Sequence, residues 1–196
     1  LQDTGIAEGV MPFCQKRVYT RKEEGRRNME PFTFRKATEK DLQTATALIE
    51  QAKVFLWENG VDQWQTGYPN EGAIAGNLQR GEGYVMEAEG QVRGYACICF
   101  TGEPCYNDLE GKWLSDLPYG VVHRMAIDDV CKGKGAAPAF FRFAEELCRE
   151  RDISSIRVDT DGDNRMMQRV LGKQGFTYCG TVCFDNSGKI AFEKLL

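Results

Sequence analysis

Apolar residues recur in two rhythms from residue 31 onward, one of period two and one of period 3.6. Residues 32–35 alternate as a short strand. Thr38-Glu-Lys-Asp41 has the S/T-x-x-D/E form of a capping box, and behind it Leu42, Ala45, Leu48, Ile49, Ala52, Phe55 and Leu56 share one helical face. A polar stretch with Trp57, Trp64 and Tyr68 leads to a second helix over 71–79. Residues 84–88 and 92–101 read as strands that turn at Glu89-Gly90. A longer connection, 103–118, carries Tyr106 and Trp113 and precedes a strand over 119–127. Residues 135–151 form a strong helix with Phe140, Phe143, Ala144 and Leu147 on one face. A buried strand over 155–159 follows, then a short helix over 164–174 with Met167, Val170, Leu171 and Gln174 on one side and Gly175 as its C-cap. Residues 176–184 and 189–194 close the chain as a hairpin around Asn186-Ser-Gly188. This order predicts an α/β fold, a mixed sheet flanked by helices. Residues 1–28 show no such periodicity and read as an N-terminal extension outside the fold, leaving 29–196 as the domain.

Composition narrows the classes of function. Hydrophobic residues at 42% support one sizeable core, and charged residues at 28% fit a soluble globular chain. A net charge of −4 lacks the surplus of Lys and Arg that non-specific nucleic-acid binding needs, so no nucleic-acid partner is expected. No apolar run is long enough to span a bilayer, and Asp3 and Glu8 stand where a secretion signal carries basic residues, so no membrane partner is expected either. The eight cysteines fall mostly inside strand or helix patterns, without a C-x-x-C and with a single histidine. That argues against a disulfide framework and against a metal site, and for reduced thiols in a cytoplasmic protein. A homodimer is compatible with the sequence.

The segment most able to hold a ligand is Asp128-Asp-Val-Cys-Lys-Gly-Lys-Gly-Ala-Ala-Pro138, between a strand and a helix. A helix start leaves backbone N–H groups unpaired and carries partial positive charge. Gly133 and Gly135 let the backbone approach a ligand, Ala136 and Ala137 keep the next turn small, and Pro138 is tolerated in the first turn. With Lys132 and Lys134 this forms a pocket for a diphosphate. The spacing fits neither G-x-x-x-x-G-K-S/T nor G-x-G-x-x-G.

Lys132-Gly-Lys-Gly-Ala-Ala137 resembles the Q/R-x-x-G-x-G/A pyrophosphate loop of the GNAT N-acetyltransferase superfamily, with Lys at the usual Gln/Arg position. Phe34-Arg-Lys-Ala-Thr-Glu-Lys-Asp41 resembles that family's first strand and helix entry. His123-Arg-Met-Ala-Ile127 occupies the strand before the loop. Asn164 followed by Lys173-Gln-Gly-Phe176 resembles its closing helix and turn. The resemblance implies the GNAT fold over residues 29–196 and acetyl-CoA as co-substrate. It implies that Met125, Ala126 and Ile127 offer backbone to the pantetheine arm. The backbone of Lys132, Gly133, Lys134, Gly135, Ala136 and Ala137 would hold the diphosphate, and Asn164 would contact the cofactor further along.

The expected reaction is direct attack of a primary amine, from a small acceptor, on acetyl-CoA. His123 is the candidate catalytic residue, since imidazole titrates near neutrality. Arg124 is expected to pair with a carboxylate such as Asp159, and Asp163 to cap the following helix. Asp159 or Asp161 is expected at the substrate cleft, and Glu58 and Asp62 could attract a cationic amine. Trp57, Trp64, Tyr68, Tyr106 and Trp113 could line an acceptor pocket or plug the core. The family's general-acid tyrosine falls at Leu171, seven residues after Asn164. That departure keeps open a non-catalytic acyl-CoA sensor, and a cleft without aromatic cover would suit protein or peptide acceptors.

Overall fold

The computed structural model describes residues 17–19, 32–184 and 187–196. The remainder of the 1–28 segment, and Asn186 of the closing turn, lie outside the described residues. The strands are β1 (Arg17–Tyr19), β2 (Phe32–Lys36), β3 (Gly83–Ala88), β4 (Gln91–Cys99), β5 (Glu110–Gly111), β6 (Gly120–Ile127), β7 (Ser155–Asp161), β8 (Thr177–Phe184) and β9 (Ser187–Leu195). The helices are α1 (Leu42–Glu58), α2 (Glu71–Arg80), α3 (Ala136–Arg149) and α4 (Arg165–Lys173). The strands form one mixed sheet in the order β1-β2-β3-β4-β6-β7-β9-β8-β5. Every pair is antiparallel except β6 with β7. The α/β expectation holds, and Arg17–Tyr19 of the N-terminal segment pairs with β2 at the sheet edge.

The signals at the α1 entry and at the β3–β4 turn act as expected. At the entry to α1, the Thr38 amide donates to Asp41 Oδ2 at 2.7 Å, while Arg35 holds the same carboxylate with two bonds of 2.7 and 2.8 Å. Glu89 and Gly90 both take positive φ, 51° and 73°, as a two-residue hairpin turn requires. Apolar periodicity buries Ala45, Leu48, Ile49 and Ala52 of α1 and Ile74 of α2 against Val85, Tyr95 and Ala126 on one sheet face. On the other face α3 packs Phe140 and Phe143 on Phe34, with ring centroids 4.8 and 4.9 Å apart. Each such fully buried aromatic contributes about 1.5–3 kcal/mol. The α4 cap differs from expectation. Asn164, not Asp163, is the N-cap, because its Oδ1 accepts from the Met167 amide at 3.0 Å. The Asp163 carboxylate instead accepts the Asp62 amide at 3.2 Å, from across the cleft.

A third cluster joins Tyr106 of the 103–118 connection to Cys99, Val121, Val182 and Ala191. The connection is clamped by a buried ion pair. Arg157 Nε lies 3.2 Å from Glu193 Oε1, and the other Glu193 oxygen accepts the Leu114 amide at 2.5 Å. The Arg157 guanidinium also stacks 4.1 Å from the Trp113 ring centroid and 3.8 Å from that of Tyr119. Trp113 is thus structural.

Candidate active site

The site begins where the sheet opens. Parallel strands β6 and β7 pair only at Gly120–Ile156 and Val121–Arg157. Beyond those positions β7 continues to pair with β9 as far as Asp161, and β6 with β4 as far as Ile127. The two strands therefore diverge, and a cavity of about 780 Å³ fills the gap. Its walls include His123, Arg124, Met125, Ala126 and Ile127 of β6, Lys132, Gly133, Gly135, Ala136 and Ala137 of the loop, Asp159 and Asp161 of β7, and Asn164. Lys134, also expected at the diphosphate, is exposed and is not part of the wall.

The β4–β6 register slips between Tyr95 and Cys97, so Arg124 and Met125 face the single residue Ala96. Arg124 takes φ 53° there, an uncommon conformation for a residue with a side chain. The bulge breaks the strand's parity. Met125 and Ile127 pack on the α3 side, whereas Ala126 packs beneath α1 and α2. His123 turns instead toward two carboxylates, those of Glu103 and Asp159.

The loop at the head of α3 offers donors. Asp128 caps a short turn, its Oδ1 accepting the Val130 amide at 3.1 Å, and the Lys132 and Lys134 amides bond back to Asp129 and Cys131. The amides of Gly133, Gly135, Ala136 and Ala137 find no acceptor among the described residues. Gly133 and Gly135 have φ of 72° and 87°, and a Cβ built on either meets nothing within 4 Å. Four unspent N–H groups at a helix start, beside open space, fit an anionic diphosphate. The Lys132 ammonium lies 3.2 Å from the Phe55 ring centroid and 2.5 Å from Asp129, which holds a cation at the edge of the cradle.

At the other end, His123 Nε2 stands 3.1 Å from Glu103 Oε2, and Nδ1 stands 3.6 Å from Asp159 Oδ1. The first contact lies off the line of a straight hydrogen bond. The His123 ring beside it holds the Glu103 carboxyl below the usual carboxylate range, so Glu103 is an anion at neutral pH. Asp159 Oδ1 also accepts the Tyr106 hydroxyl at 2.7 Å. Burial, then the neighbouring Asp159, pushes the Tyr106 phenol well above its ordinary value, so it stays a donor. Glu103 and the role of Tyr106 as Asp159's partner are absent from the sequence reading. Both lie in the irregular connection, where no periodicity shows which way a side chain faces.

Several expectations need correction. Arg124 does not pair with Asp159; its Nε donates to Tyr68 Oη at 2.9 Å and its Nη1 to Asn77 Oδ1 at 3.3 Å. Trp64 and Tyr68 line the cavity, but Trp57 is exposed and Tyr106 is buried beneath the wall. Asp62 is at the cavity and Glu58 is not. Leu171 is wholly buried in the core under α4, so no phenol reaches the cavity from that position. Both ends of the Asn164 amide are engaged: besides capping α4, its Nδ2 donates to Gln63 Oε1 at 2.8 Å. Thr160 Oγ1 donates to the same Gln63 oxygen at 3.1 Å, strapping the α1–α2 connection across the cleft. Cys131 lines the cavity, and burial raises its thiol above its ordinary range, which disfavours a thiolate nucleophile.

Residues 49–176 match the family model described as the acetyltransferase (GNAT) family. The chain belongs to the GNAT acetyltransferase family. It is therefore an acyltransferase, and the family uses acetyl-CoA as co-substrate. The chain is 32% identical to a GNAT-family acetyltransferase from Streptococcus agalactiae 2603, with a TM-score of 0.77 over 86% of this chain and 98% of that one. A GNAT-family acetyltransferase from Listeria monocytogenes 4b F2365 has 24% identity and a TM-score of 0.69, over 85% of this chain and 96% of that one. A ribosomal-protein-alanine N-acetyltransferase from Brucella melitensis has 20% identity and a TM-score of 0.61, over 83% and 99%. The last two likenesses concern the fold alone. No curated protein matches the chain. Among the described residues, no helix is long and apolar enough to cross a membrane, and no group of three or more His, Cys, Asp and Glu side chains could hold a metal ion.

Proposed function

We propose that this GNAT acetyltransferase moves the acetyl group of acetyl-CoA onto a primary amine of a small molecule by direct attack, with His123 in the catalytic group. The observation that carries this reading is the layout of one cleft, with unpaired loop amides at one end and Glu103, His123 and Asp159 at the other. Acetyl-CoA supplies the activated acyl group. The Gly133, Gly135, Ala136 and Ala137 amides would hold its diphosphate, and the β6 edge at Met125, Ala126 and Ile127 would lie along its arm. Asn164 would act by capping α4 and strapping the connection, at the cleft wall.

An amine with a lysine-like pKa of about 10.4 must lose a proton at a cost of about 4.6 kcal/mol at pH 7. Glu103 is ionised and Asp159 is hydrogen-bonded by Tyr106, with His123 between them, so this group would receive that proton. A CoA thiol resembles a cysteine thiol, with a pKa of about 8.5, so the thiolate can leave without the phenol that Leu171 replaces. A small acceptor is favoured because Gln63, Trp64 and Tyr68 cover the cleft, and a protein chain would need it open. We assign the activity to residues 29–196, with residues 1–28 as an extension that adds β1 to the sheet edge. A cytoplasmic setting is inferred from the sequence, whose cysteines fall mostly inside strand and helix patterns rather than in a disulfide framework.

The test is thiol release from acetyl-CoA across polyamines, amino acids, aminoglycosides and N-terminal peptides. Turnover with a small amine is expected. Turnover with peptides alone would overturn the small-acceptor reading, and acetyl-CoA binding without any turnover would overturn amine transfer.

A further inference from the structure

Arg124 is a half-buried cation of the cleft with no anionic partner among the described residues. Lys132 pairs with Asp129 and Lys189 with Asp161. Among the described residues, no carboxylate lies within ion-pair distance of Arg124. Its contacts are neutral: the Tyr68 hydroxyl, which both Nε and Nη2 reach, and the Asn77 carbonyl oxygen. Asn77 Oδ1 also accepts Arg80 Nη2 at 2.8 Å, and Arg80 in turn holds Glu82 at 2.8 Å. The Glu82 carboxylate is thus committed to Arg80, and two guanidinium groups share one amide oxygen.

A guanidinium remains charged at any physiological pH, and its planar fork matches a carboxylate with two parallel bonds. Drawing it out of water without an anion is costly, and that cost is offset when a ligand brings the anion. Arg124 lines the cavity, so a ligand can reach it. The next residue back, His123, faces Glu103 and Asp159. The cleft therefore presents the Arg124 cation beside the Glu103 and Asp159 carboxylates that flank its neighbour His123, and the Cα atoms of His123 and Arg124 stand about 3.8 Å apart. The bulge makes this possible: with φ 53°, Arg124 departs from strand alternation and reaches toward α2. The diphosphate cradle lies elsewhere on the wall, with its lysine against Phe55 and Asp129.

We propose that the acceptor is an amino-acid-like molecule carrying a carboxylate as well as the amine, and that Arg124, oriented by Tyr68, binds that carboxylate. The inference rests on the acetyl-transfer reading above. Its ammonium would face Glu103, His123 and Asp159 and lose one proton to that group; the neutral amine then forms the N–acetyl bond as the C–S bond breaks, and the second N–H proton passes to the departing thiolate, giving the amide and the CoA thiol.

The experiment compares kcat/KM for amino acids with that for the amines left by their decarboxylation. The wild-type protein is expected to favour the amino acid by about 10- to 100-fold, the worth of a charge-assisted hydrogen bond. Arg124→Gln should bring that ratio close to one, chiefly through KM, and Arg124→Lys should restore part of it. Tyr68→Phe, which keeps the charge and releases its orientation, should lower the ratio several-fold. A wild-type ratio near one, or a ratio that survives Arg124→Gln, overturns the proposal. So does a tenfold rise in the acetyl-CoA Kd of Arg124→Gln with the ratio unchanged, which would assign the guanidinium to the donor. Calorimetry with an N-acetyl amino acid against its amide separates the two readings. If no amine is acetylated, yet the acid binds tenfold tighter than the amide and Arg124→Gln abolishes the difference, amine transfer fails and the carboxylate site stands. Equal binding of acid and amide refutes the carboxylate site.

Discussion

Replacing Gly135 separates the cofactor role of the loop from its role in folding. Gly135 is the N-cap of α3 with φ 87°, and a Cβ placed on it meets nothing within 4 Å. The cost of Gly135→Ala to the folded protein is therefore the left-handed backbone alone, about 1–2 kcal/mol. For a chain of this size that lowers Tm by roughly 2–8 °C. The open space beside the Cβ is where a diphosphate would meet the loop amides. Hydrogen bonds to charged groups are worth about 1.5–3 kcal/mol each, so disturbing two of them weakens acetyl-CoA binding by about 10²- to 10⁴-fold. Gly60 supplies a matched control. Its φ is 72°, its Cβ would also meet nothing within 4 Å, and it is not part of the cavity wall. Gly60→Ala should lower Tm by a similar amount and leave the Kd within twofold. Calorimetric titration with acetyl-CoA and thermal melts read both quantities. A Gly135→Ala protein that melts earlier but binds acetyl-CoA within threefold of wild type would refute the assignment of the loop to the diphosphate.

Three further outcomes follow from the same contacts. Glu103→Gln should lower kcat by about 10²- to 10⁴-fold, with the acetyl-CoA Kd unchanged, as removal of part of a general base does; an unchanged kcat would place proton acceptance elsewhere. The Asp41 carboxyl, hydrogen-bonded chiefly by Arg35, is lowered from 3.8 to about 2. Its folded-state pKa is depressed, so its stabilisation is present above about pH 4 and lost as pH falls through 2. Asp41→Asn should then cost about 1–2 kcal/mol at pH 7 after allowance for solvent screening, and nothing near pH 1.5; denaturant melts at the two pH values decide it. Glu193→Ala strands the buried Arg157 guanidinium and should cost about 3–5 kcal/mol, a fall in Tm of roughly 6–20 °C, whereas a fall under 2 °C would show the pair to be replaceable.

What the sequence made legible was local. The α1 face, the Glu89-Gly90 turn and the strand–loop–helix setting of residues 132–137 each rest on neighbours a few positions apart, where periodicity and turn chemistry decide the outcome. The loop also carried the family resemblance, because its glycines, alanines and lysines lie within six consecutive positions. The acceptor side was not legible, since its contacts are distant in sequence. Tyr106 meets Asp159 across 53 positions, Arg124 meets Tyr68 across 56, and Asn164 meets Gln63 across 101. The bulge at Arg124 is the sharpest case. One extra residue sent the arginine toward α2 and away from Asp159, and left Asp159 to His123. Asn164 lines the cleft, and its cap on Met167 and its bond to Gln63 depend on the exact start of α4 and on a connection folded over from α1.

The most direct test of the central claim is to follow thiol release and N-acetylated product together by mass spectrometry, with acetyl-CoA and a reactive small amine. One acetylated amine per thiol, with no acetyl group retained on the protein, is the predicted result. Acetyl-CoA bound in the cleft without product from any amine, or an acetyl group trapped on Cys131, would contradict direct transfer.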